Sequence, residues 1–412
     1  MPPSSQHHVN TWHFTLIIAL LATLAPFSID TYLPSFPDIA RELHANTLQM
    51  QQTLSAYLIA FGVMMLVHGP LSDAYGRKPV ILAALMAYIA ASIGCALAQN
   101  LEWLLAMRIG QGLAAGAGLV IGQAMIRDVL AGAQAQKLMS HVTMTFTLAA
   151  AVGPIIGGWL HAWWGWRSVF WFLALSSAGL LYLTWVCLPE TLAATQRQSV
   201  RVRPVVRAYA QTLANRDFMR LVTILALDFA GLFLYIASAP VLLFDVLHFA
   251  PEEFGWFFIP VIAGIAFGAF VSGAAADRLR PSQTINLGFA LLGSAVILNM
   301  LQALLLPPNT FLVVTPVVLY AAGMAVTAPS LTLLALDNYP KRRGLASAVQ
   351  GFTQTMLNAF VAGVLSPLFS QHVWTLAMGM LGLLVMAYLL WSLGTLKTEN
   401  PKQPAGDSRP TN

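Results

Sequence analysis

Charge is scarce in this sequence: only 9% of its 412 residues are Asp, Glu, Lys or Arg, whereas 58% are hydrophobic. A soluble globular domain carries roughly 25% charged residues, so this composition cannot supply a water-facing surface. Cysteine is scarcer still, because Cys95 and Cys187 are the only two and both lie in apolar segments. That argues against a disulfide framework or a metal cluster. We expect both thiols to pack as small hydrophobic side chains.

Two motifs of familiar enzyme classes are also missing. No GxxxxGK[ST] phosphate loop occurs, so we expect no ATP hydrolysis by this chain, and no HExxH pair marks an intramembrane protease. The polar connections are too short to hold a catalytic or signalling domain. The sequence therefore predicts neither an enzyme nor a cofactor or metal site.

What the sequence has instead is a series of long apolar blocks. Crossing roughly 30 Å of hydrocarbon at 1.5 Å per residue takes about 20 helical residues. The pattern predicts an all-α membrane protein with twelve such spans. We place them at 12–34, 50–70, 79–98, 102–124, 138–161, 168–188, 218–244, 253–275, 283–306, 311–335, 344–370 and 373–395.

A polar stretch from Glu190 to Asp217 divides six spans from six. We predict a six-helix half at 1–189, a basic cytoplasmic linker at 190–217 that rests on anionic lipid headgroups, a second half at 218–396 and a disordered cytoplasmic tail at 397–412. With both termini in the cytoplasm, 18 of the 21 basic residues fall on that side, as the positive-inside rule requires. The net charge of +5 follows from this topology, so we expect no nucleic-acid partner.

The two halves share a loop pattern. Gly69 and Asp73 after span two are matched by Gly273 and Asp277 after span eight, 204 residues later, and Arg follows each Asp. This favours a parallel repeat with pseudo-two-fold symmetry. Such repeats let secondary transporters expose a central site to either side of the membrane.

The loop after span two reads GPLSDAYGRKP and begins at Gly69. Gly69 allows close helix approach, Gly76 permits a tight turn, and Asp73 can pair with Arg77 or accept hydrogen bonds from a helix N-terminus. We interpret Gly69, Asp73, Gly76 and Arg77 as a conformational latch. The alternative is a topogenic loop, which would need only its basic residues.

Span four carries Arg108 in the run RIGQGLAA. A guanidinium in hydrocarbon costs roughly 3 kcal/mol on insertion scales, so we expect it to face a polar interior and to have a partner. Gln111, Gly112 and Ala115 follow at helical spacing and share its face. The alternative is an Arg that snorkels to water from the outer end of the helix.

Span five contains the run GPIIGG. Its motif positions are Gly153, Pro154, Gly157 and Gly158. Pro154 removes a backbone donor and bends the helix. Gly153 and Gly157 form a GxxxG face on which another helix can pack closely.

Two acids inside spans are candidates for proton binding. Asp30 lies toward the outer end of span one, and Asp228 lies near the middle of span seven. Ionising a carboxyl group in apolar surroundings is costly, so either acid could bind and release a proton as water access changes. We predict that Asp30, Arg108 and Asp228 couple transport to protons. The alternatives are a hydrated helix-end acid for Asp30 and a structural hydrogen bond for Asp228.

A further set of side chains could line a substrate cavity that adapts to varied ligands. Any of them could equally pack toward lipid or inside the bundle. The candidates are Tyr32, Tyr57, Phe61, Gln111 and Tyr235.

These motifs together resemble a known family. GPLSDAYGRKP and RxxQG resemble signatures of the major facilitator superfamily, and GPxxGG resembles its antiporter motif. The SIDTYLPS segment around Asp30, the Arg127–Asp128 pair and the run ALDNYP ending at Pro340 are similar to the bicyclomycin-resistance and chloramphenicol-exporter (Bcr/CflA) branch of drug:proton antiporters.

The resemblance implies a major facilitator fold in a bacterial inner membrane. It implies export of small amphipathic compounds or drugs in exchange for protons by alternating access, and we expect the protein to be a monomer. It also implies that Asp30 is the proton-binding acid of the first helix and that Arg108 is its functional neighbour. The proposed role of Asp228 has no such match and rests on its burial alone. A narrow-specificity exporter of a nucleoside, sugar or amino acid is the alternative, and a transporter-like sensor is a weaker one.

Overall fold

The computed structural model describes residues 11–130, 132–197, 202–276, 278–340 and 342–398, which contain helices and turns but no strand. Two π-helical turns, Val241–Val246 and Val361–Leu365, extend α9 and α13. The α-helices are α1 Thr11–Asp30, α2 Phe36–Glu42, α3 Thr47–Tyr75, α4 Arg77–Ala96, α5 Leu101–Val129, α6 Gly132–Trp164, α7 Arg167–Cys187, α8 Val202–Leu213, α9 Arg216–Pro240, α10 Gly255–Ala276, α11 Pro281–Leu305, α12 Thr310–Asp337, α13 Arg343–Phe360, α14 Ser366–Phe369 and α15 Val373–Thr398.

Twelve helical segments are long and apolar enough to cross a membrane, which confirms the prediction of twelve spans. Several run longer than the predicted blocks. The helices α3 and α5 each have 29 residues, whereas a perpendicular helix needs about 20 to cross the hydrocarbon. They therefore tilt or extend beyond it.

Four spans begin at an asparagine. Asn46, Asn100, Asn215 and Asn309 each accept a hydrogen bond from the backbone N–H three residues later. Such N-caps satisfy one of the four donors that a helix start leaves free. They fix where α3, α5, α9 and α12 start, which periodicity alone could not locate.

Helix pairing is the same in the two halves. In the first, span one packs against span five, span two against four and span three against six. In the second, span seven packs against eleven, eight against ten and nine against twelve. This arrangement confirms the predicted fold class, two six-helix halves with pseudo-two-fold symmetry.

The halves meet near the start of α3. The side chains of Gln51 and Gln52 donate to the carbonyl oxygens of Ala237 and Gly363, at 2.8 and 2.9 Å. These carbonyls belong to spans seven and eleven. The end of the bundle away from the basic connections is thus closed by contacts between the halves.

Cys95 is buried, as expected, but Cys187 is exposed. The prediction that both thiols pack is wrong for Cys187, because the last residue of α7 faces away from the bundle. The described residues contain no His, Cys, Asp and Glu cluster of three or more that could hold a metal ion. The domain limits and the position of the termini stay predictions. Asp277 and most of the tail, from residue 399 onward, lie outside the described residues.

Candidate functional site

Arg108 of α5 is fully buried, with 0% of its surface exposed, so it does not snorkel to water. Its Nη1 donates to the carbonyl oxygen of Ser28 at 3.0 Å and to Oε1 of Gln111 at 2.8 Å. Its guanidinium carbon lies 4.6 Å from the ring centre of Tyr32 and 4.4 Å from that of Tyr57. Both distances are within the range of cation–π attraction.

Within the described part of the chain, no carboxylate lies within 4.0 Å of this guanidinium. The C-terminal end of α1 interacts with the guanidinium where a carboxylate would be expected. Because α1 ends at Asp30, the Ser28 carbonyl is one of the last four, which have no donor inside the helix. A helix C-terminus also carries partial negative charge. Nε and Nη2 of Arg108 still have no hydrogen-bond partner, so the cation keeps unused donors.

A chain of hydroxyl groups extends from Arg108 into α4. Nε2 of Gln111 donates to Oγ of Ser92 at 2.8 Å, and that hydroxyl donates to the Tyr88 carbonyl at 2.8 Å. The hydroxyl of Tyr88 in turn bonds to that of Ser28. Sequence reasoning missed Ser28, Tyr88 and Ser92, because Ser and Tyr are common in spans and no spacing rule joins three separate helices.

Asp30 is the last residue of α1 and is buried. Within the described part of the chain, its carboxylate has no hydrogen bond or ion pair. The glycines of span five pack directly on it. A Cβ added at Gly153 would stand 2.8 Å from the Asp30 Cβ, and one at Gly157 would stand 2.6 Å from the Thr31 Cα. The predicted GxxxG face thus packs against the end of α1, and Pro154 lies within the same buried turn of α6.

The same element of α6 also touches the second half. A Cβ added at Gly158 would stand 3.0 Å from the carbonyl carbon of Pro251 and 3.4 Å from the Glu252 Cα. One added at Gly255 would meet Cγ1 of Ile155 at 3.3 Å. GPIIGG therefore lies between the Asp30 end of α1 and the start of span eight.

Asp228 is fully buried in α9 and faces α12. Its Oδ2 lies 3.0 Å from Oγ1 of Thr327, and that hydroxyl lies 2.9 Å from the Met324 carbonyl. Oδ1 of Asp228 and the hydroxyl of Tyr320 are buried without a hydrogen-bond partner. The structure does not bring Asp228 into contact with Arg108. The two candidate acids therefore lie at separate sites, Asp30 in the first half and Asp228 in the second.

The latch residues form a compact ion network. Arg77 Nη1 pairs with Asp73, and its Nε donates to Oδ2 of Asp128 at 3.0 Å. These contacts tie the end of α3, the start of α4 and the end of α5 together. Gly69 is less constrained, because the nearest atom to an added Cβ would be Cγ1 of Val120 at 3.9 Å.

Glu190 completes this network and was not predicted. Its carboxylate accepts from the backbone N–H groups of Arg77 and Lys78, at 3.1 and 3.2 Å, and so caps the start of α4. Gly76 precedes these groups with φ of 103°, a backbone conformation that favours glycine. A Cβ there would stand 2.6 Å from Oε2 of Glu190.

The predicted cavity residues divide into two groups. Tyr32, Tyr57, Phe61 and Gln111 lie in the first half around Arg108, where Tyr57 stacks on Phe61 with ring centres 6.2 Å apart. Tyr235 lies in the second half, fully buried.

The hydroxyl of Tyr235 accepts a hydrogen bond from Asn299 at 2.7 Å. A cavity of about 520 Å³ lies elsewhere, between α3, α4 and α5. It is lined by Met64, His68, Leu71, Tyr75, Pro79, Val80, Ala83, Ala84, Ala87, Gly110, Leu113 and Ala114, and so by none of the predicted cavity residues.

The family model of the Major Facilitator Superfamily matches residues 18–363, with a second match over 221–411. The chain belongs to the Major Facilitator Superfamily. It is therefore a multi-pass membrane protein of a transporter family, which confirms the resemblance read from the loop and span motifs.

Curated members of the superfamily match over most of this chain. An "Uncharacterized MFS-type transporter YdgK" of Bacillus subtilis is 30% identical over 84% of this chain and 86% of its own length. A "Bicyclomycin resistance protein homolog" of Haemophilus influenzae is 26% identical over 87% of this chain and 89% of its own length. "Multidrug resistance protein D" of Escherichia coli is 27% identical over 97% of this chain and 99% of its own length.

Solved structures of the superfamily show the same fold. A bacterial homologue of the human lysosomal transporter Spinster, inward-facing and unoccupied, matches with a TM-score of 0.73 at 16% identity, over 97% of this chain and 100% of that one. A D-xylose–proton symporter matches with a TM-score of 0.70 at 16% identity, over 92% and 97%.

Proposed function

We propose that this chain is a proton-coupled antiporter that exports small amphipathic compounds, drugs among them, across a bacterial inner membrane by alternating access. The observation that carries the proposal is that the buried Arg108 binds the last turn of α1, the helix that ends at the buried Asp30. The cation has unused donors, and among the described residues the carboxylate of Asp30 has no ion pair within 4.0 Å. Relatives named for multidrug and bicyclomycin resistance support the choice of cargo.

The state of Asp30 follows from its surroundings. An ionised carboxylate that is buried without a partner is strongly unfavourable. The present arrangement therefore suits a protonated Asp30. Loss of that proton would create an anion beside the end of α1, where the unused Nε and Nη2 of Arg108 can respond. We infer that α1 would then shift against α5 and so link protonation to helix movement.

Asp228 supports a second proton site through its surroundings. Its Oδ1 is buried without a hydrogen-bond partner, and its Oδ2 contacts one hydroxyl group, that of Thr327. A buried carboxylate charge with so few hydrogen bonds is costly. These contacts support a neutral, protonated Asp228.

The direction of transport rests on the resemblance of GPIIGG to the antiporter motif and on the names of the relatives. The end of the bundle that we assign to the periplasm, from the charge distribution, is closed by Gln51, Gln52 and the contact of Gly158 with Pro251. We infer that the periplasmic end of the bundle is closed in this arrangement.

The test compares wild-type protein with Asp30→Asn in everted membrane vesicles that carry a pH-sensitive dye. A panel of antibiotics and cationic dyes is added after an acid-inside gradient forms. We expect some compounds to release protons from wild-type vesicles and none to do so with Asp30→Asn, at equal amounts of inserted protein. Asp245→Asn, at an exposed acid outside the site, serves as the control. Wild-type release by Asp30→Asn would end the assignment of Asp30.

The same panel tests the type of cargo. Cells that express the protein are challenged with each compound, with and without an uncoupler. Resistance to several unrelated compounds that disappears with the uncoupler supports a drug antiporter. The narrow exporter would be supported instead if the cells gained no resistance to any compound and a single nucleoside, sugar or amino acid released protons from the vesicles.

A further inference from the structure

Pro70 creates a vacancy in the hydrogen bonding of α3. It lies inside the helix, five residues before its end at Tyr75. Because proline has no backbone N–H, it cannot donate to the carbonyl four residues earlier, which is that of Leu66. This carbonyl therefore needs a donor from outside the helix.

Tyr209 supplies that donor. Its hydroxyl donates to the Leu66 carbonyl at 2.9 Å. Tyr209 belongs to α8, the helix of the central connection, which is separate from the membrane spans. Tyr209 and Thr212 lie on the packed face of α8, whereas Arg203 and Arg207 are exposed on the other. One face of α8 is therefore docked on the bundle.

The docked helix lies beside the latch and joins the two halves. Burial raises the pKa of the Tyr209 hydroxyl, and the nearby Asp73 carboxylate adds to this effect. The hydroxyl therefore stays a donor at neutral pH. The same helix also packs against α9 and α13 of the second half. A single helix thus connects the cytoplasmic part of span two to spans seven and eleven.

We propose that Tyr209 is a positioning residue that fastens the central helix α8 to the proline-freed carbonyl of span two. This hydrogen bond stabilises the present arrangement of the two halves, and it must break when their cytoplasmic ends move relative to each other. The inference rests on the proposed alternating access but not on proton coupling or on the identity of the cargo.

A double-mutant cycle tests the proposal. Tyr209→Phe removes the donor but keeps the ring, whereas Pro70→Ala gives Leu66 a backbone donor within its own helix. Tyr209→Phe should lower the population of the present arrangement roughly two- to tenfold, as expected for one net hydrogen bond. In the Pro70→Ala background the same change should have little effect. Tyr75→Phe, at a 60% exposed tyrosine of the same helix, is the matched control.

The populations are read from distances between spin labels in lipid nanodiscs. The labels are attached at Gln134→Cys and Ser282→Cys, two exposed positions at the cytoplasmic ends of the halves, after Cys95 and Cys187 are changed to Ser. An unchanged distance distribution for Tyr209→Phe would overturn the proposal. An equal shift with and without Pro70 would also overturn it, because the effect would then not depend on the vacant carbonyl.

A second measurement follows the docking of α8 itself. Limited trypsin digestion cleaves after Arg207, which is exposed on α8. Tyr209→Phe should speed this cleavage severalfold, and Pro70→Ala should do the same, because the Leu66 carbonyl then no longer needs Tyr209. Cleavage at the wild-type rate in both variants would contradict docking through this bond. Both readouts are independent of export, so a failed antiport assay leaves them interpretable.

Discussion

Gly157→Ala is the sharpest test of how span five holds the end of span one. The added Cβ would stand 2.6 Å from the Thr31 Cα and 2.7 Å from its carbonyl carbon. Real side chains do not approach backbone atoms this closely, so α6 and the end of α1 must separate by about 1 Å to reach ordinary contact. Overpacking of this kind costs about 1–3 kcal/mol.

The matched control is Gly179→Ala, in the middle of α7. A Cβ there meets nothing within 4 Å, so this alanine should be neutral or should stabilise its helix by up to about 1 kcal/mol. Both variants add one methyl group to a glycine of a membrane span. Any difference between them therefore reports the packing against Thr31 and not the change of residue type.

The assay uses Cys95, which is fully buried in α4, in a Cys187→Ser background. A thiol-reactive dye labels Cys95 only as the detergent-solubilised protein unfolds on heating. We expect Gly157→Ala to become labelled at a lower temperature than wild type, and Gly179→Ala at the same or a higher one. Gly157→Ala should also lose export at equal expression, because Asp30 is displaced with Thr31. Equal unfolding temperatures for the two variants would refute the packing argument.

Three further predictions concern the other polar sites. Arg108→Lys keeps the charge but cannot contact a carbonyl, an amide and two rings together, so resistance of expressing cells should fall to that of empty cells at wild-type expression. Gly76→Ala should destabilise the latch by about 1–3 kcal/mol, because alanine disfavours the positive φ at this position. The dye should then label Cys95 at a lower temperature than in wild type, whereas Gly179→Ala should not lower that temperature. Asp228→Asn mimics the protonated acid and should unfold near the wild-type temperature, whereas Thr327→Val removes the hydrogen bond to Asp228 and should unfold earlier. The reverse order would mean that Asp228 is ionised in this state.

The sequence was sufficient for the fold because a membrane imposes a simple requirement. Every span must satisfy its own backbone hydrogen bonds and be about 20 apolar residues long, so counting blocks located all twelve spans. Helix ends were less predictable. The spans that start at Asn46 and Asn100 begin a few residues before the apolar block, where a side-chain cap and not hydrophobicity decides.

The candidate site was only partly predictable. Arg108 and Asp30 could be picked out because charge is rare in hydrocarbon. Their partners could not, since the Ser28 carbonyl looks like any other backbone group in a sequence. Glu190 was also missed: it lies in the central connection, 113 residues from the Arg77 amide that it caps. Contacts of that range come from the three-dimensional arrangement of helices and have no local signal.

The end of α1 is where three separate motifs meet, and this offers a physical route from a proton to a change of shape. Arg108 binds the Ser28 carbonyl near the end of this helix, Asp30 is its final residue, and Gly153 and Gly157 pack closely on Asp30 and Thr31. A movement of the end of α1 would therefore alter all of these contacts. In the mechanism that we propose, a new charge on Asp30 would attract Arg108 and change how α1 lies on α6, while Gly158 of α6 contacts the second half. One proton would then affect the closure between the halves without a long pathway.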